Sequence, residues 1–163
     1  MAITKYSVAA LWGARDPSGT IYLYAEHLVP DTEPGRNANA IAELGDWIPG
    51  VLNLSALQGS QDDKRQIMRL YRRLGLDVFL CRAEGDAGTY KLSELLVRGK
   101  LKVFAALVQF LGEYRGAEEQ SPLLLCCQSL VLNIDRMRAK PVPRPVYEPR
   151  LPTGERAWMG YGG

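Results

Sequence analysis

SVAALWGARDPSGTIYLYAEH, residues Ser7 to His27, sets the architecture of this chain. An apolar run from Ser7 to Gly13 meets a turn signal, RDPSG at Arg15 to Gly19, in which proline and glycine break the pattern. The alternating, β-prone segment IYLYAEH follows from Ile21 to His27. The three pieces together predict an antiparallel hairpin. Downstream, Asp31 or Thr32 can cap a helix whose apolar positions Ala38, Ile41, Ala42 and Leu44 recur at helical spacing, with Gly45 as its stop. A strand is expected from Trp47 to Leu52. SQDD, Ser60 to Asp63, then opens an amphipathic helix with Ile67, Leu70, Tyr71 and Leu74 on one face, ended by Gly75.

The remaining segments continue the alternation. Leu76 to Cys81 reads as a strand, Tyr90 to Val97 as a helix, Leu101 to Phe104 as a short strand and Ala105 to Tyr114 as a helix. Ser121 and Pro122 suit a cap and first-turn proline for a long closing helix that reaches about Arg138. Beyond it Pro141, Pro143, Pro145 and Pro149 predict an extended tail, which divides the chain into a domain at 1–139 and a tail at 140–163. Strands separated by helices pair in parallel and a hairpin pairs antiparallel, so the expected class is α/β with a mixed sheet flanked by helices.

Composition narrows the function classes. A formal charge of +2 is too mild to signal nucleic-acid binding without clustering. The cysteines Cys81, Cys126 and Cys127 have neither zinc-ligand spacing nor an even count, which argues against a zinc site or a disulfide framework and suits a reducing cytoplasm. The longest apolar run, Leu123 to Cys127, is far below membrane-spanning length, so no membrane partner is expected.

Several stretches, in order, resemble the C-terminal nuclease domain of phage terminase large subunits: AALWGARDPSGTIYLYAEH from Ala9, AIAELGDWIPGV from Ala40, SQDDKRQIMRLYRRLGL from Ser60 and GKLKVF from Gly99. The resemblance implies an RNase H-like fold. It further implies a DNA endonuclease using two Mg²⁺ or Mn²⁺ ions in viral DNA packaging, in the cytoplasm of an infected or lysogenic bacterial host. The implied partners are double-stranded DNA, the portal and other terminase subunits, the small terminase among them. No GxxxxGK[ST] loop occurs, so the packaging ATPase is not part of this sequence.

Departures from the family pattern fall on its acids. The family's first aspartate lies on a strand upstream of the segment matching Val8 to Gly13, where this sequence has only Met1 to Tyr6 and no acid. If that strand is central to the sheet, shortening it leaves unpaired backbone and an apolar slot, partly filled by Met1 to Lys5. A second aspartate follows the TrpIlePro strand and corresponds to Asn53; the acids that open the last helix correspond to Ser121 and Leu125. Two divalent cations repel each other and need anionic oxygen ligands, so these replacements imply no resident metal and impaired catalysis.

Other candidates have plainer readings. Glu84 and Asp86 flank Gly85 in a loop and are the available substitute acids, although Asp86 beside a helix start reads first as a cap. Asp62 and Asp63 likewise read as caps, His27 as a strand-end residue, and Cys126 and Cys127 as small core hydrophobes. Lys64, Arg65 and Arg69 on one helix, and Arg98, Lys100 and Lys102 around a loop and strand, are the candidates for contact with a DNA backbone.

Overall fold

Alternation along one strand explains the layering. In β2 (Ser7–Arg15), Val8, Ala10 and Trp12 enter one apolar cluster while Ala9 and Leu11 enter another on the opposite face. A strand buried on both sides must be central to its sheet and covered by helices above and below. The computed structural model describes residues 1–30, 33–81, 86–116 and 121–137. Its remaining strands are β1 (Ala2–Ile3), β3 (Ile21–Pro30), β4 (Gly50–Leu52), β5 (Val78–Leu80) and β6 (Leu101–Val103). The helices are α1 (Pro34–Ala42), α2 (Gln61–Arg73), α3 (Ala87–Val97), α4 (Val108–Gly116) and α5 (Pro122–Asn133).

The hairpin forms as the sequence predicts, with β2 antiparallel to β3 and a bulge where Trp12 pairs Ala25 but Gly13 pairs Leu23. β1 is antiparallel to β2, β3 is parallel to β6, and β4 is parallel to β5. A parallel bridge between Ala2 and Asn53 joins the two groups, giving the spatial order β6-β3-β2-β1-β4-β5. α1 and α2 cover one face through Ala38, Ile67 and Tyr71, and α3, α4 and α5 cover the other through Leu92, Phe110 and Leu130. Burying a Leu or Phe side chain contributes roughly 1.5–3 kcal/mol, so these clusters hold the layers together.

α2 carries its start signal in full. Ser60 Oγ accepts from the Asp63 amide, and Asp63 accepts from the Ser60 amide at 2.8 Å, a reciprocal capping box. Two other helix starts depend on distant carboxylates. Glu26, on β3, accepts from the Gln109 and Phe110 amides at 3.0 and 2.7 Å, and Glu113 accepts from the Leu123 and Leu124 amides at 2.8 and 3.3 Å. Each carboxylate satisfies first-turn donors and lies at the positive end of a helix dipole.

Several boundaries differ from expectation. The strand expected from Trp47 starts at Gly50, because Ile48 N bonds back to Gly45 O and Trp47 sits in that turn, 43% exposed. α1 begins at Pro34 with Glu33 at its cap position; Asp31 and Thr32 lie outside the described residues. Leu70 is 39% exposed, and Met68 packs on the core in its place. α3 begins three residues earlier than expected, at Ala87. α4 begins at Val108, after a turn in which Leu107 N bonds Phe104 O. α5 ends at Asn133 because Arg136 N bonds back to Asn133 O in a tighter turn. His27 sits inside β3 and not at its end, with Nε2 3.3 Å from Asn37 Oδ1. The tail from 140 lies outside the described residues.

Candidate functional site

The ends of β1, β4 and β5 meet α5 at one polar cluster. Asn53 follows β4 directly and is 6% exposed. Its backbone ties the strands together: Asn53 N donates to Met1 O at 2.9 Å and Ile3 N donates to Asn53 O at 3.1 Å. On the other side Cys81 N donates to Leu52 O at 2.9 Å. Open α/β sheets place their sites at such strand ends, so this is where chemistry is expected.

The polar side chains of the cluster are amides, a hydroxyl and a thiol, and its buried nitrogen and oxygen atoms are hydrogen-bonded. Asn53 Nδ2 donates to Ser129 Oγ at 2.8 Å, and Ser129 Oγ donates on to Leu125 O at 2.7 Å. Asn53 Oδ1 accepts from Ser55 N at 2.8 Å. Asn133, one turn beyond Ser129, donates to Ser129 O at 2.8 Å and to Cys81 Sγ at 3.5 Å. Its Oδ1 accepts from Arg136 at 3.1 Å, and that guanidinium stacks 4.6 Å from the Phe79 ring centroid. Beside Asn53 on β1 stands Ala2, buried and aliphatic.

This donor set does not fit a pair of divalent cations. Hard cations need several free oxygens, preferably anionic; here the Asn53 side-chain oxygen is engaged by a backbone N–H and the network ends on a cation. Among the described residues no group of three or more His, Cys, Asp or Glu side chains is placed to hold a metal. The nearby thiols are poor ligands. Burial pushes Cys126 above its ordinary value and lifts Cys127 to about 12, helped by the neighbouring Cys126. Both are core residues, as their sequence context predicts.

The structure distributes the other candidates widely. Ser121 occupies the cap position of α5, two turns before Ser129, without a side-chain cap bond, and Leu125 reaches the cluster through its carbonyl while its side chain packs on the core. Asp86 occupies the cap position of α3, exposed and without a side-chain cap bond; Glu84 lies outside the described residues. Asp62 pairs with Arg65 at 3.0 Å. Lys64, Arg65 and Arg69 ride on α2, over the face near β5. Arg98, Lys100 and Lys102 sit at the opposite edge, around β6, where Arg98 pairs with Glu94 and Lys100 Nζ donates to Ser18 O. The two basic groups therefore do not form one continuous track. Ser129 and Asn133 are the site residues that sequence reasoning missed.

No protein-family model matches the sequence, and no curated protein matches it. Among the described residues no helix is long and apolar enough to cross a membrane. Among solved structures, the nuclease domain of the P22 large terminase is similar at a TM-score of 0.66 and 16% identity, over 82% of this chain and 84% of that one. At that identity the likeness is one of fold, and this chain has an RNase H-like, terminase nuclease-like fold.

Proposed function

We propose that this chain is a terminase nuclease-like domain of the viral DNA packaging machinery that does not cleave DNA by a two-metal mechanism. On this reading it serves as a non-catalytic piece that binds the portal, the small terminase or double-stranded DNA. The observation that carries the proposal is the uncharged, hydrogen-bonded Asn53–Ser129 pair with Ala2 beside it. Two-metal cleavage needs carboxylates that bridge the ions and cancel their repulsion. An amide committed to a hydroxyl and a backbone N–H supplies neither charge nor a bridge. The fold likeness supports the packaging context, and the chemistry of the cluster supports the loss of cutting.

Supercoiled plasmid incubated with the intact chain in Mg²⁺ and then in Mn²⁺ tests this reading. No nicking or linearisation above the metal-free control is expected. Cutting abolished by Asp86→Ala or Glu84→Ala would overturn it, and would assign the activity to an acidic site rearranged around those residues and Asn53.

A further inference from the structure

One helix carries a row of cations that the Asn53 cluster does not use. At 3.6 residues per turn, Arg65, Arg69, Arg72 and Arg73 of α2 fall within about 100° of arc, opposite the side on which Ile67 and Tyr71 enter the core. All four are exposed. Within α2, Asp62 is the only acid in that sector, and it pairs with Arg65 at 3.0 Å. Arg72 Nε donates to Val78 O at 2.6 Å, which pins that guanidinium beside the start of β5. Arg69 and Arg73 take part in no ion pair among the described residues. The helix dipole accounts for cations in the last turn, Arg72 and Arg73. It does not reach back to Arg65 and Arg69, because the effect falls off within one turn.

What the row can recognise follows from what it lacks. The interface with a protein partner has an apolar core from which charge is depleted. No apolar side chain lies among the four arginines, and Leu70 stands outside their sector. Guanidinium groups without an apolar anchor suit a ligand held by charge alone, as a phosphodiester backbone is. Dimensions agree: at 1.5 Å per residue Arg65 to Arg73 spans about 12 Å, the length of three or four phosphates at ~3.4 Å of duplex axis each. Placement separates the row from the strand-end site. α2 connects two parallel strands, β4 and β5, so it runs back against them, with its N-terminus by the Asn53 end and its arginines leading away from it.

We infer that this face of α2 is a sequence-independent contact for the phosphate backbone of double-stranded DNA. Arg69 and Arg73 are its free cations, Arg72 is held in position and Arg65 is shared with Asp62. The contact holds the duplex away from the strand-end site and reads no bases. It rests on the binding role proposed above and selects DNA among the partners of that role. Arg98 and Lys100, at the opposite edge, are committed to Glu94 and to Ser18 O and take no part.

Anisotropy of a fluorescent duplex of mixed sequence, titrated with the intact chain in EDTA, reads the contact without any cutting. Saturable binding is expected, with a log–log salt slope of about −3 between ~50 and ~200 mM salt. Arg69→Gln with Arg73→Gln is expected to weaken binding about tenfold or more at the lower salt and to make the slope shallower by about 2. Arg69→Lys with Arg73→Lys keeps the charge and is expected to keep the slope, while Arg98→Gln with Lys102→Gln changes neither quantity. These side chains are exposed, so every variant is expected to keep the parent Tm. Absence of binding, an unchanged slope in the Arg69 and Arg73 glutamine variant, or an equal loss in the Arg98 and Lys102 variant would overturn the inference. So would displacement of the duplex by polyglutamate at equal charge, which would assign the face to an acidic protein. Cutting in Mg²⁺ with the arginine dependence intact would strike the non-cutting role and support the contact.

Discussion

Replacing Asn53 by aspartate puts back the charge that a metal site would need, and the structure sets the cost. The new carboxylate keeps the Ser55 amide as a donor, but its second oxygen faces Ser129 Oγ, whose hydrogen already goes to Leu125 O. One buried acceptor left unsatisfied costs roughly 1–3 kcal/mol. Burial also raises the folded carboxyl above its ordinary value, and a shift of about two units is worth roughly 2.7 kcal/mol at neutral pH. The two terms overlap, so Asn53→Asp is expected to lose about 2–4 kcal/mol, lowering Tm by roughly 5–15 °C.

The sign with pH follows from linkage. A raised folded pKa means that the folded variant keeps a proton that the unfolded chain has released. Its deficit is therefore fully present above the folded pKa, fades as pH falls from there toward the unfolded value of about 4, and is gone below it. Urea unfolding followed by tryptophan fluorescence, at neutral and acidic pH and with or without Mg²⁺, reads this directly. Loss at neutral pH, partial recovery in acid and indifference to Mg²⁺ are expected. A neutral-pH deficit removed by Mg²⁺ would refute the reasoning, because it would show that the cluster makes a cation cage once charged.

A Cβ built on Gly13 would lie 3.0 Å from Leu130 Cδ1 and 3.2 Å from Leu23 Cδ2, so Gly13→Val is expected to destabilise by about 1–3 kcal/mol. Gly112, inside α4, has open space, and Gly112→Ala is expected to stabilise by about 0.5–1 kcal/mol in the same unfolding assay. Glu26→Ala removes the acceptor for two first-turn amides of α4 and is expected to cost about 1–2 kcal/mol, with faster amide exchange confined largely to that helix. With a disulfide reagent under native conditions, half-buried Cys81 is expected to label first, while Cys126 and Cys127 label only as fast as the chain unfolds.

Local signals in the sequence carry the hairpin and α2. The RDPSG turn and the Ser60–Asp63 box act within a few residues, so they are readable without the fold. Ser121 and Pro122 likewise mark the start of α5, whereas the start of α4 was less legible because Glu26 reaches it from β3. Trp47 misled for a different reason: its β-prone, apolar character belongs to a turn beside an apolar cavity. At the candidate site, resemblance pointed to Asn53, but its partner on α5 is Ser129, 76 residues away, where expectation had placed Ser121 and Leu125. A serine inside an apolar helix and an asparagine at its last position carry no pattern until the strand end that they meet is known.

Manganese titration of the intact chain, followed by the paramagnetic resonance of free Mn²⁺, tests the central claim most directly. The account predicts that added Mn²⁺ stays free, because the Asn53 cluster offers no anionic oxygen. Two ions bound per chain at micromolar affinity, released by Asn53→Ala, would contradict it.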